Sequence, residues 1–342
     1  MKIIIDDKIP YMQEALREIA VEAIYKKGAD ICASDVRDAD ALIVRTRTRC
    51  DERLLAGSTV KFIATATIGY DHLDTAYLKQ AGIAWTNCLG CNASSVAQYV
   101  RSVLLLLAEE QGLNLSEATL GVVGCGHVGS LVCKVGSELG MRVLVCDPPL
   151  GNPGFVSLAE IEQQADVITF HVPMERGGSY PTWHIADDEF FGRLRRRPFI
   201  INSSRGGVVD EQALHRALDN GTVSQAIIDT WEGEPAIDRA LLNKVYIGTP
   251  HIAGYSADGK ANATNMSVQA LCRHFGIKTP EPIVPPSLPA SFVYTGNPLQ
   301  LYNPHDDSLR LKSNPDAFEH LRGDYPLRRE HIYAQTPHQC AE

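Results

Sequence analysis

The chain has 342 residues, 44% of them hydrophobic and 21% charged, which is enough for about two globular domains and excludes a disordered or fibrous protein. Its formal net charge of -9 disfavours nucleic acid or an anionic membrane surface as a partner. The N-terminus, MKIIIDD, has no signal-peptide core, and the most apolar run, 103–108, is too short to cross a bilayer. We therefore expect a soluble, cytoplasmic protein.

The cysteines do not indicate a disulfide framework or a metal centre. There are nine, irregularly spaced. Cys88 and Cys91 form a CxxC string, but no second such string and no histidine pair at zinc-ligand spacing accompanies it. We expect reduced, structural cysteines and no bound metal.

Short apolar runs alternate with helical patterns along the whole chain, which predicts an α/β fold with parallel sheets. The first part contains predicted strands at 2–6, 41–45 and 61–65. Predicted helices there span 10–20 and 73–82, and the second ends on Gly82, a residue type that easily adopts the left-handed conformation. One long helix is then predicted over 92–112.

A second series of strands begins at Leu120. Most are continuous apolar runs, as expected for strands covered on both faces. They are predicted at 120–124, 142–147, 166–170, 198–204, 225–229 and 245–248. A helical pattern at 256–276 follows and could return the chain to the first unit, which would make the first domain discontinuous.

These patterns divide the chain into four regions. The predicted regions are a first domain of 1–92 with 256–276, a second domain of 93–255, a proline-rich linker of 277–298 and a polar tail of 299–342. The tail is too small for a stable core of its own, so we expect it to dock on another part of the protein.

A glycine-rich loop follows the strand that begins at Leu120. Gly124 permits a tight turn, Gly126 lets backbone amides approach a pyrophosphate, and Gly129 permits close helix packing. Asp147 ends the next strand, where an acid can bind ribose hydroxyls and repel a 2′-phosphate, so the pattern favours NAD over NADP. His127 and Val128 complete the predicted site, with the His127 side chain facing solvent. A purely structural turn is the alternative, and the strand–loop–helix–strand–Asp order disfavours it.

Three polar motifs come directly after predicted strands, where ligands bind in open α/β sheets. Arg205 can grip a carboxylate with its planar fork. Oxidation of an alcohol by hydride transfer also needs a base for the hydroxyl proton, which His251 can supply at neutral pH. Asp229 and Glu234 provide carboxylates that can orient such a ring. Each residue alone could be structural, but together, after an NAD-type loop, they favour a catalytic site.

The strings VVGCGHVG, INSSRGGVVDE, IDTWEGEP and GTPHIAG together resemble the D-isomer-specific 2-hydroxyacid dehydrogenase family, over about residues 1–276. The resemblance implies an α/β fold with two Rossmann-like doubly wound domains, parallel sheets and an active site in the cleft between them. It also implies a catalytic set of Arg205, Glu234 and His251. Further cofactor contacts that it implies are Val172, Pro173, Ser203, Ser204, Asp229 and Gly254. Substrate contacts that it implies are Thr46, Thr67 and Tyr255.

Other strings indicate a branch within the family. ATATIGYDHLD, LGCNASSVAQYV, PHIAGYSADGKANAT and FEHLRGDYPLRRE are similar to the branch that oxidises 4-phospho-D-erythronate at its 2-hydroxyl in pyridoxal 5′-phosphate (vitamin B6) biosynthesis. That branch carries a C-terminal dimerisation region, so the resemblance implies a homodimer formed through 299–342.

A phosphorylated substrate needs cations. Arg45 or Arg47 could supply them from the loop after the strand at 41–45, and Arg328 or Arg329 of a partner subunit are the alternative. Two other functions remain open: another D-2-hydroxyacid dehydrogenase, such as one acting on 3-phosphoglycerate, and a non-catalytic NAD-sensing regulator of the same fold.

Overall fold

The computed structural model describes residues 1–332, which form two compact units. The first unit comprises Met1–Asn92 and Ala257–Ser287, and the second comprises Ala93–Ser256 and Leu288–Ile332. The proline-rich stretch 277–298 is thus divided between them. Within this part of the chain, no helix is long and apolar enough to cross a membrane.

The first unit is built on a five-stranded parallel sheet. Its strands are β1 (Lys2–Asp6), β2 (Glu22–Lys26), β3 (Ala41–Val44), β4 (Phe62–Thr65) and β5 (Ala84–Asn87). Between them lie the short helices α1 (Met12–Ala15), α2 (Ala33–Val36), α3 (Glu52–Leu55) and α4 (Thr75–Ala81). The strand order is β2-β1-β3-β4-β5, so the winding direction reverses between β1 and β3. In such sheets ligands bind outside the carboxyl ends of the strands, at this reversal.

The structure confirms the three strands and the Gly82 helix end predicted in this unit, since Gly82 has a φ of 70°. The helix predicted over 10–20 is wrong in extent, because Tyr11 is left-handed and the helix ends at Ala15. Strands β2 and β5 were not predicted. They are the two edges of the sheet and are only partly buried, so neither contains the continuous apolar run that marks a central strand.

The second unit begins with α5 (Ala93–Gln111) and contains a six-stranded parallel sheet. Its strands are β6 (Thr119–Val123), β7 (Arg142–Cys146), β8 (Val167–Phe170), β9 (Phe199–Asn202), β10 (Gln225–Ile228) and β11 (Ile247–Gly248). The intervening helices are α6 (His127–Glu138), α7 (Leu158–Gln164), α8 (Asp188–Arg193), α9 (Glu211–Asp219) and α10 (Arg239–Lys244). The order β11-β10-β9-β8-β6-β7 places the winding reversal between β6 and β8.

Helix α11 (Ala257–Phe275) returns the chain to the first unit, where Val268, Leu271 and Cys272 pack against the sheet residues Ile3 and Ile43. The chain then completes the second unit with α12 (Pro304–Ser313) and α13 (Phe318–Gly323). Two doubly wound parallel α/β units are therefore present, which confirms the predicted fold class.

The described part of the tail docks on the second unit, as predicted. The Ser308 hydroxyl accepts a hydrogen bond from the Gly248 amide at 3.0 Å, so α12 covers the edge strand β11. Leu311 and Phe318 are buried in the core of this unit. The dimerisation role predicted for 299–342 stays a prediction, and residues 333–342 lie outside the described part.

Arg328 fastens the end of the tail to the second unit. It is 3% exposed, and its guanidinium donates to the carbonyls of Ser95 at 2.6 Å and Ile252 at 3.1 Å and to the Gln98 side chain at 2.8 Å. Its guanidinium also lies 3.6 Å from the centre of the Tyr302 ring. Every nitrogen of this buried cation has a partner within its own unit, so Arg328 is a structural residue rather than a group presented to a partner subunit.

We expect Arg328→Gln to lower the free energy of unfolding by about 2–4 kcal/mol, because it leaves buried carbonyl acceptors without donors. Urea denaturation measures this loss. Arg310→Gln is the matched control, since Arg310 is 53% exposed and its ion pair with Asp307 is a long one of 3.6 Å; it should change stability by less than about 0.5 kcal/mol. Equal effects of the two substitutions would contradict the anchoring role.

Candidate active site

The glycine-rich loop lies directly after β6, at the winding reversal of the second sheet. Gly124 has a φ of 92°, and a Cβ there would lie 2.7 Å from the His171 carbonyl oxygen. A Cβ on Gly129 would overlap the Gly124 carbonyl, so neither position tolerates a side chain. A Cβ on Gly126, by contrast, would meet no described atom within 4 Å. The loop is thus tightly packed on one side and open at Gly126, beside the start of α6 at His127.

The residues around this loop fit a dinucleotide. Asp147, directly after β7, accepts a hydrogen bond from the Cys125 amide at 2.7 Å, which places a carboxylate against the loop. Val172 contacts the loop from the end of β8, since a Cβ on Gly124 would lie 2.8 Å from its side chain. The Ser203 hydroxyl, just after β9, is buried and has no hydrogen-bond partner among residues 1–332. A buried hydroxyl without a partner is costly unless a ligand supplies one.

The other predicted cofactor contacts lie on the loops that follow β8, β9 and β11, and the polar groups of Pro173 and Ser204 are engaged locally. The Pro173 carbonyl accepts from the Thr182 hydroxyl at 2.5 Å. The Ser204 hydroxyl donates to the Asn202 side chain at 2.9 Å. Gly254 follows Ala253, whose amide donates to Asp229 at 3.0 Å. The structure therefore brings these residues to the carboxyl ends of the strands, and their roles toward a cofactor stay predictions.

The Glu234 and His251 side chains meet. His251 Nδ1 lies 2.8 Å from Glu234 Oε2 and 3.1 Å from Oε1. Burial alone would raise the pKa of Glu234, but the hydrogen bond and charge of His251 and the Trp231 amide hold that pKa below its usual value. An ionised carboxylate can only accept, so Nδ1 carries a hydrogen and Nε2 faces away from this pair.

The loop that carries His251 is held by Asp229. His251 has a φ of 56°, an uncommon conformation for a residue with a side chain. Asp229 Oδ1 accepts from the Thr249 hydroxyl at 2.6 Å and from the Ile252 amide at 2.8 Å, while Oδ2 accepts from the Ala253 amide. The Asp229 carbonyl accepts from the His251 amide at 2.8 Å. A single residue at the end of β10 therefore binds the loop on both sides of the histidine.

Arg205 follows β9 on a turn that packs against the Glu234 loop. A Cβ on Gly206 would overlap the Trp231 carbonyl, so the two loops touch through backbone atoms. The Arg205 guanidinium donates to the Ser204 carbonyl at 2.8 Å, and within the described chain it forms no ion pair. A cation without a carboxylate partner therefore lies on a loop that touches the Glu234 loop.

A buried glutamate, Glu211, supports the loop that carries Glu234. Glu211 Oε1 accepts from the Glu232 amide at 2.7 Å. Burial raises the pKa of Glu211 to about 7, with a further contribution from the negative charge of Glu232. Glu211 could not be recognised from the sequence, because a glutamate at the start of a helix usually faces solvent.

The predicted substrate contacts Arg45, Thr46 and Thr67 lie in the first unit, and the structure places them after β3 and β4. Arg45 donates to the Lys8 carbonyl at 3.0 Å. The Thr67 hydroxyl lies 2.6 Å from that of Thr65. Both loops are at the carboxyl ends of strands, where this class of sheet binds ligands.

Tyr255, the fourth predicted substrate contact, lies in the second unit. Its hydroxyl is 3.2 Å from Arg322 Nη2, and its ring packs edge-on against Tyr325. Arg322 could not be recognised from the sequence, because nothing in the string FEHLRGDYPLRRE distinguishes one arginine of the tail from another.

The CxxC string forms no reactive pair of thiols. Cys88 is fully buried, its Sγ is 3.2 Å from the Ala263 carbonyl, and burial raises the pKa of its thiol to about 11. Within residues 1–332 no group of three or more His, Cys, Asp or Glu side chains is arranged to hold a metal ion.

Comparisons with known proteins agree with this geometry. Residues 93–253 match the family described as D-isomer specific 2-hydroxyacid dehydrogenase, NAD binding domain. Among solved structures, D-lactate dehydrogenase from Aquifex aeolicus, complexed with NAD and lactic acid, is 26% identical with a TM-score of 0.65 and covers 81% of this chain and 96% of its own. The NAD⁺-bound 3-phosphoglycerate dehydrogenase of Entamoeba histolytica is also 26% identical, with a TM-score of 0.67, covering 81% of this chain and 95% of its own.

The chain belongs to the D-isomer-specific 2-hydroxyacid dehydrogenase family, and it is an NAD-dependent oxidoreductase. Its relatives indicate to which branch of the family it is most similar. A protein of Bacteroides thetaiotaomicron named erythronate-4-phosphate dehydrogenase is 55% identical over 96% of this chain and 97% of its own length. A protein of the same name from Edwardsiella ictaluri is 42% identical over 96% of this chain and 93% of its own.

The raised pKa of Glu211 predicts a pH-dependent stability. The carboxyl binds its proton more tightly in the folded state, so its contribution is complete below about pH 4.5 and declines as the pH rises to about 7. Glu211→Gln cannot ionise and keeps an acceptor for the Glu232 amide. As the pH rises from 5.5 to 8, we expect the free energy of unfolding of this variant to increase by about 2 kcal/mol relative to that of the wild type.

Urea denaturation at the two pH values measures that gain. Glu117→Gln, a change at an exposed glutamate, is the control. Its free energy of unfolding should change between the two pH values by the same amount as that of the wild type. A Glu211→Gln variant with the wild-type pH dependence would show that Glu211 does not titrate in this range.

Proposed function

We propose that this protein oxidises 4-phospho-D-erythronate at its 2-hydroxyl to (R)-3-hydroxy-2-oxo-4-phosphooxybutanoate, with NAD as the acceptor, as a step in pyridoxal 5′-phosphate biosynthesis. The observation that carries the proposal is the 55% identity to erythronate-4-phosphate dehydrogenase of Bacteroides thetaiotaomicron over nearly the full length of both chains. The contact between His251 and Glu234 supports it, since this chemistry needs a base held by an acid.

His251 is the proposed base. Its Nδ1 hydrogen is directed to Glu234, so the lone pair of Nε2 is available to take the hydroxyl proton. The ionised Glu234 then stabilises the positive charge that develops on the ring. NAD, when bound, accepts the hydride from the same carbon.

Arg205 is the proposed carboxylate clamp. Its guanidinium is not neutralised by a carboxylate of the described chain, and its planar fork matches a substrate carboxylate in bidentate geometry. The same cation can polarise the carbonyl of the 2-oxo product in the reverse direction. The three residues thus divide the work: Arg205 binds and orients, His251 moves the proton, and Glu234 holds the histidine.

The first unit contributes three of the four other proposed substrate contacts. Thr46 and Arg45 follow β3, next to the winding reversal of that sheet, and Thr67 follows β4. Hydroxyl groups at such positions suit a substrate that has two hydroxyls of its own, and the Arg45 cation suits an anionic group.

A panel of 2-hydroxy acids tests the proposal. With NAD, we expect kcat/KM for 4-phospho-D-erythronate to exceed the values for D-3-phosphoglycerate and D-lactate by at least about 100-fold, because a site built for a given polar group strongly rejects substrates that cannot pair with it. NADH absorbance at steady state measures the rates. His251→Gln keeps much of the size of the side chain but not its basicity, and it should lower kcat by about 100-fold or more.

Each alternative has its own result in this panel. A preference for D-3-phosphoglycerate would identify a different dehydrogenase of the family. Tight NADH binding without turnover of any acid would indicate the NAD-sensing regulator.

We also propose that the protein is a homodimer that associates through its tail. Apolar side chains that are exposed in the single chain support this: Leu309 is 66% exposed and Leu327 44%, both in the tail, and Val293, in the linker just before it, is 73% exposed. Association of two copies would remove such surface from water.

Sedimentation equilibrium of the full chain tests the dimer. The expected mass is about twice the 37.4 kDa of one chain. Leu309→Asp should weaken the association by about 10-fold or more, because it places a charge in an apolar contact. Leu150→Asp is the matched control, since Leu150 is also exposed, at 53%, but lies outside the tail. A monomeric wild type would refute the dimer.

A further inference from the structure

Arg322, near the end of α13, is a cation with unused hydrogen-bonding capacity. Its Nη2 is 3.2 Å from the Tyr255 hydroxyl, and its Nη1 is 3.6 Å from Glu319 Oε1, longer than a strong ion pair. Its Nε is buried and has no hydrogen-bond partner among residues 1–332. A guanidinium has five N–H donors, so at least one N–H of this group lacks an acceptor among the described residues.

The charge of Arg322 also acts on the Glu234–His251 pair. Its charge is one of the groups that hold the pKa of Glu234 below its usual value. Burial by itself would lower the pKa of Arg322, but Tyr255, Glu234 and Glu319 together hold it above its usual value. The side chain is 23% exposed, so it is neither a surface residue nor a sealed core residue.

Arg328, six residues further along the same tail, is a structural arginine, and its burial and hydrogen bonds differ from those of Arg322. Arg328 is 3% exposed and gives its hydrogen bonds to two backbone carbonyls and one side chain of its own unit. Among residues 1–332, Arg322 donates no hydrogen bond to a backbone carbonyl, and its guanidinium lies next to the Tyr255 hydroxyl.

We propose that Arg322 is a substrate-binding residue that, together with the Tyr255 hydroxyl, receives the phosphate group of the substrate. This rests on the proposed function. That substrate has two anionic groups, and Arg205, which follows β9, is assigned to the carboxylate beside the reacting carbon. The phosphate, at the other end of a four-carbon chain, carries a second negative charge, and it can supply acceptors to the Arg322 guanidinium and to the Tyr255 hydroxyl in addition to the contact proposed for Arg45.

The test compares two substrates that differ only in the phosphate. For each enzyme, kcat/KM is measured with 4-phospho-D-erythronate and with D-erythronate. In Arg322→Gln we expect the ratio of the two values to fall by about 10- to 100-fold, mainly through the KM of the phosphorylated acid, because one charge-assisted contact is lost. Arg322→Lys, which keeps the charge but not the fork, should restore part of the ratio.

Arg310→Gln is the matched control. Arg310 has the same 3.6 Å contact with a carboxylate three residues earlier as Arg322 has, but it is 53% exposed. Its substitution should leave the ratio unchanged. If Arg322 only held Tyr255 or α13 in place, Arg322→Gln would weaken catalysis with both substrates alike, and that equal loss, or no loss at all, would overturn the inference.

Binding of inorganic phosphate separates this inference from the proposed function. Calorimetric titration of the NADH-bound wild type with phosphate should show binding that is about 10-fold weaker or more in Arg322→Gln. If the wild type binds phosphate through Arg322 but does not oxidise 4-phospho-D-erythronate, the anion site stands and the substrate assignment fails. If it oxidises that substrate with an unchanged ratio in Arg322→Gln, the substrate assignment stands and the anion site fails.

Discussion

The candidate active site of the second unit depends on one buried carboxylate, Asp229, directly after β10. It is 1% exposed, and burial raises its pKa even though the His251 charge and its hydrogen bonds with Thr249, Ile252 and Ala253 act in the opposite direction. A buried carboxyl is stable only when such donors surround it. The donors all belong to the stretch that contains His251. The hydrogen bonds that stabilise the Asp229 carboxyl therefore also fix the conformation of the loop that carries this histidine.

That coupling explains how a histidine can be held in a left-handed conformation. A φ of 56° costs of order 1–3 kcal/mol and persists only when the surroundings determine it. Here Thr249 is fixed before His251 and Ile252 after it, while the histidine amide itself is taken by the Asp229 carbonyl. The ring is therefore directed to Glu234 by the backbone on both sides, without help from a flexible side chain.

Contacts between loops also hold the neighbouring residues Glu234 and Arg205. Trp231 donates its amide to Glu234 and its indole N–H to the Thr249 carbonyl, so the acid and the histidine loop are joined by one buried ring. Gly206 allows the Arg205 turn to touch the Trp231 carbonyl directly. Three loops from three successive strand ends thus share contacts, and a displacement of any of them would be transmitted to the Glu234–His251 pair.

The central strands and the motif residues could be predicted from the sequence because their signals are local. A strand buried on both faces is a continuous apolar run, and a glycine between a strand and a helix marks a phosphate-binding loop. Edge strands β2 and β5 lack such runs, and the support that Glu211 gives to the Glu234 loop depends on a contact between residues 21 positions apart. No local pattern records a contact of that range.

The tail shows most clearly what cannot be predicted from the sequence, since two chemically identical residues have different surroundings there. Arg322 and Arg328 stand in one string, yet the first keeps an unpaired Nε beside Tyr255 while the second is enclosed by backbone carbonyls. The difference arises because Arg328 lies against the start of α5 and the histidine loop, whereas Arg322 is on the last turn of α13. Whether an arginine in this chain is structural or available to a ligand is thus decided by which carbonyls tertiary packing brings within its reach.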